Sequence, residues 1–96
     1  MSAPAAPDMA AVSALTQCLS RFTAREVARG SNASADHLMA QAAERDCGVE
    51  FRGLADTITR GTTKTQARET LETLIRDTLS PAVETAIAEA KVTSTQ

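Results

Sequence analysis

Residues 35–60 read ADHLMAQAAERDCGVEFRGLADTITR, and the fold turns on how this stretch is read. Met39, Ala43, Cys47, Phe51, Leu54 and Ile58 follow one another at spacings of four, four, four, three and four. At ~100° per residue all six fall within an arc of about 120°, one apolar face of a helix. Ser34 suits the N-cap, Asp36 favours the first turn, and Gly61 follows Arg60 as a terminator. Gly48 and Gly53 oppose this, each costing about 1 kcal/mol against Ala inside a helix. Asp46-Cys47-Gly48-Val49 is where the helix would divide. Because the stripe keeps its phase across the glycines, the sequence predicts one helix from Ala35 to Arg60, with the glycines marking a bend or a close approach.

Toward the N-terminus, Gly30-Ser31-Asn32-Ala33-Ser34 has the composition of a turn. Before it, Val12, Leu15, Leu19 and Phe22 repeat at three, four, three, flanked by Met9 and Cys18. A first helix is expected from Pro7–Asp8 to Gly30, with Pro at the entry and arginines in the last turns. Residues 1–7, with two prolines, are expected to be a disordered arm.

Toward the C-terminus, Thr63-Lys64-Thr65-Gln66 matches a capping box and starts a third helix. Leu71, Leu74, Ile75 and Leu79 form its stripe, and Arg68–Glu72 and Glu72–Arg76 can pair along its surface. Pro81 removes a donor from a helix interior, yet Ser80-Pro81 is also a good helix start. Val83, Ala86, Ile87 and Ala90 carry the pattern on to Lys91, so both a kinked helix and a short fourth helix remain open. The expected fold is all-α: a small bundle of three long antiparallel helices, the last kinked or split at Ser80-Pro81. A single domain would cover residues 8–92, with 93–96 as a frayed tail.

The 96 residues include 20 of Val, Ile, Leu, Met and Phe, but also 19 alanines, and the aromatics are Phe22 and Phe51 alone. That makes a thin core, and small bundles of this kind often gain burial by pairing with another chain. One His and two Cys without a Cys-x-x-Cys argue against a zinc site. No Glu-x-x-His is present for a di-iron bundle, and the glycines at 30, 48, 53 and 61 form no phosphate loop. His37, in a first helical turn, has no orienting partner nearby in sequence and reads as a surface residue. No catalytic residue, metal or cofactor is therefore expected.

A net charge of −2 argues against binding nucleic acid through phosphates. Arg21, Arg25 and Arg29 lie four apart on one stripe, suited to an acidic partner helix. Cys18 and Cys47 fall in apolar stretches and read as free thiols in a reducing compartment, with one bridge permitted if the protein is secreted. The N-terminus lacks the positive region of a signal peptide, and the charge-free run Met9–Ser20 is too short and polar to span a bilayer. A cytoplasmic protein, or one in a reducing organelle interior, is expected.

Leu54 to Leu79, containing Leu-Ala-Asp-Thr-Ile and Thr-Lys-Thr-Gln-Ala-Arg-Glu-Thr-Leu-Glu, resembles the helix–turn–helix that opens bacterial HU-type histone-like proteins. The likeness covers roughly a quarter of the chain. That family holds DNA on a β-saddle and basic arms after the helices, whereas this chain continues into another helical stretch. The resemblance implies a helical hairpin used for pairing, without carrying over the DNA-binding parts.

The expected function is a non-enzymatic helical protein–protein interaction module: an adaptor, a small chaperone-like partner or a subunit of an assembly, with a protein partner that includes a second copy of the chain among its candidates. The alternative is a small dimeric nucleic-acid-associated regulator. Leu38, Val49 and Val27 lie off the main stripes and are the expected apolar contacts, with Arg21, Arg25 and Arg29 as a charged rim.

Overall fold

Asp8 opens the first helix by accepting a hydrogen bond from the Ala10 N–H at 3.0 Å. The computed structural model describes residues 8–94, and the arm expected over 1–7 lies outside them. Helix α1 runs Met9–Ala28 and buries Val12, Leu15, Cys18, Leu19 and Phe22. It ends in a Schellman motif. Gly30, at φ +97°, allows its own N–H to reach Val27 O at 2.9 Å and the Ser31 N–H to reach Glu26 O at 3.0 Å.

The stretch expected as one helix is two. Helix α2 is Ala35–Glu44, capped by Ser34, and α3 is Gly48–Thr59. Arg45, at φ −120° and ψ −104°, leaves helical space. The chain then turns so tightly that the Cys47 N–H donates to Ala42 O at 2.8 Å. A Cβ on Gly48 would sit 3.0 Å from Ala43 O, so this elbow needs glycine for room.

The reason for the break lies in the phase of the buried residues. Leu38, Met39 and Ala42 are buried on α2, and Cys47, Leu54 and Ile58 around and along α3. On one straight helix these two sets would face directions about 140° apart. The stripe read from sequence took in Ala43 and Phe51 and left out Leu38. In the fold Ala43 and Phe51 are only half-buried, while Leu38 is 1% exposed.

Thr63 starts α4 (Lys64–Leu74) with the expected capping box: its hydroxyl accepts from Gln66 N–H at 3.2 Å, and Gln66 Oε1 accepts from Thr63 N–H at 3.4 Å. Helix α4 passes through a π turn, Ile75–Leu79, into α5, Ser80–Ser94. The last helix is thus kinked rather than split, and it continues past Val92 through Ser94. Pro81 has no N–H for the carbonyl of Asp77, and the wider turn just before it accommodates that loss. The same turn corrects a second phase jump. Ala67, Leu71 and Leu74 centre about 120° from Leu79, Val83 and Ala86 on an ideal wheel, and one extra residue in a π turn restores about 100°.

Helix α1 packs most extensively on α5 and also on α3, while α2 lies along α5 and α3 along α4. Leu15, Leu19, Leu38, Leu54, Leu79 and Val83 form the fully buried centre. Leu71, Leu74 and Ile75, expected at the core of their stripe, are half-buried at its edge. The molecule is a rod with extents of 54 × 21 × 20 Å. Among the described residues there is no strand, and no helix is long and apolar enough to cross a membrane.

Candidate interaction surface

The elbow at Arg45–Cys47 organises the two sides of the molecule that carry chemistry. On one side it is tied to α1. Cys18 and Cys47 form a disulfide across a Cα–Cα distance of 5.9 Å, which corrects the expectation of two free thiols. Each lies on an apolar helical stripe, and packing α1 against the elbow brings them together. Their burial, 7% and 0% exposed, follows from the same packing. Two turns further along α1, Arg25 forms an ion pair with Asp46.

The arginine stripe is largely spent within the chain. Arg25 engages Asp46, and Arg29 Nη1 donates to Glu26 at 3.4 Å. Phe22, Arg25, Glu26, Arg29, Arg45 and Asp46 enclose a polar cleft of about 190 Å³. Both signs of charge line it, so it offers no uniform field to an anion. Arg21 is exposed outside this cluster.

The other side of the elbow is apolar. Met39, Ala40 and Ala43 of α2, Phe51 of α3 and Ile75 of the π turn border a groove of about 310 Å³, with Asp36 at its end. These are largely the residues of the stripe read from the sequence. Of the stripe's α2 half, Met39 is buried and also borders the groove, while Ala43 is half-buried at its edge. Val49, at the start of α3, is 72% exposed, as expected. Val27 is half-buried. Leu38 cannot serve as a surface anchor, because the reset of phase at the elbow turns it inward.

Between α1 and α5 a third depression, about 300 Å³, is lined by Ser20, Ala24, Ala28, Ala86, Glu89, Ala90 and Thr93. On the π turn, the Arg76 Nε donates to Asp77 at 2.9 Å. This hydrogen bond holds the Asp77 carboxyl below its ordinary range and pushes Arg76 up. Both groups are on open surface, where such a pair contributes little to stability.

Two polar atoms are buried without a hydrogen-bond partner among the described residues: Thr23 Oγ1, on a residue 0% exposed, and Glu50 Oε2. His37 is exposed, with only its backbone N–H engaged, donating to Ser34 at 3.2 Å. Among the described residues no three His, Cys, Asp or Glu side chains gather where they would hold a metal ion.

The sequence signal that was passed over is the pair Leu38 and Ala42. Their four-residue spacing defines a competing face on α2, and its conflict with Phe51 and Leu54 marks the break. No family model, no curated protein and no solved structure matches this chain.

Proposed function

We propose that this chain is a helical protein–protein interaction module that works by presenting the elbow groove to an apolar helix, with a second copy of the chain as partner. The observation that carries this reading is the groove itself. Met39, Ala40, Ala43, Phe51 and Ile75 form an apolar trough between the α2–α3 limb and the π turn, and no other element of the described chain fills it. Helix-in-groove recognition uses such surfaces, with anchors at i, i+3 and i+4. Self-pairing fits a core with two aromatic residues, which gains from further burial.

The experiment is an association assay on Ala40→Glu. Ala40 is exposed, so the carboxylate enters the groove without entering the core. Loss of association with an unchanged helical circular-dichroism spectrum supports the reading, and unchanged association removes the groove from it.

A second reading, a dimeric nucleic-acid-associated regulator, is favoured by the α3–α4 helical hairpin, which matches the HU-like resemblance. The neutralisation of Arg25 and Arg29 by Asp46 and Glu26 opposes it. A salt titration separates the two, because phosphate contacts give a steep loss of binding with added salt.

The Cys18–Cys47 disulfide bears on location. Bonds of this kind persist in oxidising compartments, so it favours such a compartment over the reducing cytoplasm read from the sequence.

A further inference from the structure

We infer that Asn32 is an N-glycosylation site, the acceptor of an oligosaccharide carried on a lipid pyrophosphate. Asn32 is the only asparagine of the chain, and it opens Asn32-Ala33-Ser34, a tripeptide that fits the Asn-x-Ser/Thr acceptor motif with no proline in the middle. The motif carries weight in a surface loop of a protein that matures in the secretory lumen. The fold meets these two conditions from different places. Asn32 is exposed in the loop between α1 and α2, outside both helices. The Cys18–Cys47 disulfide is of the kind formed in that oxidising lumen.

Both ends of the loop are pinned. At its start the Ser31 N–H donates to Glu26 O at 3.0 Å, and at its end the Leu38 N–H donates to Ser34 O at 2.9 Å. Between them Ala33 packs against the core, and its N–H donates to Ser31 Oγ at 3.2 Å. Burial alternates along the loop: Ser31 and Ala33 are half-buried, and Asn32 and Ser34 are exposed. That alternation sets the Asn32 amide and the Ser34 hydroxyl together on the solvent side. Ser34 also caps α2, where its hydroxyl accepts from the His37 N–H at 3.2 Å. As an acceptor in the cap, the hydroxyl keeps its own proton to donate, so capping and the acceptor motif are compatible. Asn32 is not among the residues bordering the elbow groove, and the site is separate from the proposed pairing surface.

In the transfer, Asn32 Nδ2 attacks C1 of the first sugar of the donor. The bond from C1 to the pyrophosphate oxygen breaks, and its electron pair leaves with the lipid pyrophosphate. Nδ2 gives one proton to a base of the transferase, and the new C1–Nδ2 bond joins the glycan to the chain. No oxidant or reductant takes part.

The test is mass spectrometry of the chain isolated from its own source. Trypsin releases residues 30–45 as one peptide, because Arg29 and Arg45 bound it and no Lys or Arg lies between them. The expected result is that most of this peptide carries added hexose and N-acetylhexosamine mass. An N-glycan amidase removes that mass and converts Asn32 to aspartate. Two changes at Ser34 separate the acceptor motif from the cap. Ser34→Thr keeps both and stays glycosylated. Ser34→Asp keeps the cap but loses the motif, and returns the bare peptide with an unchanged helical circular-dichroism spectrum. A wild-type peptide found at bare mass alone, added mass that resists the amidase, or a glycan that persists in Ser34→Asp would each overturn the assignment.

Discussion

Cys18 on α1 and Cys47 at the elbow are bonded across 29 residues of sequence, and this link ties the bend of the second limb to α1. On a single helix axis the α2–α3 limb would have to present two apolar faces about 140° apart. The bend resolves that conflict by giving each face its own helix.

Closing a loop of this length restricts the unfolded chain by about 3–4 kcal/mol in the chain-entropy account. Cys18→Ser/Cys47→Ser is therefore expected to lose roughly 2–4 kcal/mol in urea unfolding, a large share for a 96-residue chain. A loss under 0.5 kcal/mol would show that the limb is held by packing alone.

Leu38 and Val49 should respond in opposite ways. Leu38 is 1% exposed, and Leu38→Asp places an unpaired charge in the core and should abolish cooperative folding. Val49 is 72% exposed, and Val49→Asp should shift the melting temperature by no more than a degree or two. Thermal unfolding followed by circular dichroism reads both. A folded Leu38→Asp would mean that α2 is seated on its other face.

Thr23 offers a stabilising change. Its hydroxyl is buried with no hydrogen-bond partner among the described residues. Thr23→Val keeps the shape, removes the unpaired group, and should gain about 1 kcal/mol. A destabilised Thr23→Val would show that the hydroxyl has a partner, such as an ordered water.

The π turn is a length correction, so residues near it should differ in their tolerance to deletion. Deleting Thr78 together with Pro81→Ala should yield a regular helix with Leu71, Leu74, Leu79 and Val83 still on one side. Deleting Glu84 swings Ala86, Ile87 and Ala90 away from α1 by about 100° and should unfold the bundle. Helical ellipticity and melting temperature distinguish the two, and equal behaviour would remove phase as the reason for the turn.

The helix ends were the legible part of the sequence. Asp8, Ser34 and Thr63 cap as their side chains dictate, and Gly30 closes α1, because caps depend on neighbours within four residues. The interior of the limbs was less legible, because Leu38 and Phe51 each fit an apolar stripe and only tertiary packing chooses between them. Cys18 and Cys47 pair for the same reason: their meeting depends on how α1 seats on the elbow. The groove became visible only once Ala43 and Phe51 were found outside the core, while the arginine stripe, plain in sequence, is spent on Asp46 and Glu26.

Sedimentation equilibrium of the oxidised chain at micromolar concentrations, beside its Ala40→Glu variant, tests the groove most directly. The expected result is a wild-type mass well above the 10.1 kDa of one chain, falling to that mass in Ala40→Glu with the helical circular-dichroism spectrum unchanged. A wild-type chain of 10.1 kDa throughout that range, or an oligomer indifferent to Ala40→Glu, would contradict self-pairing through the elbow groove.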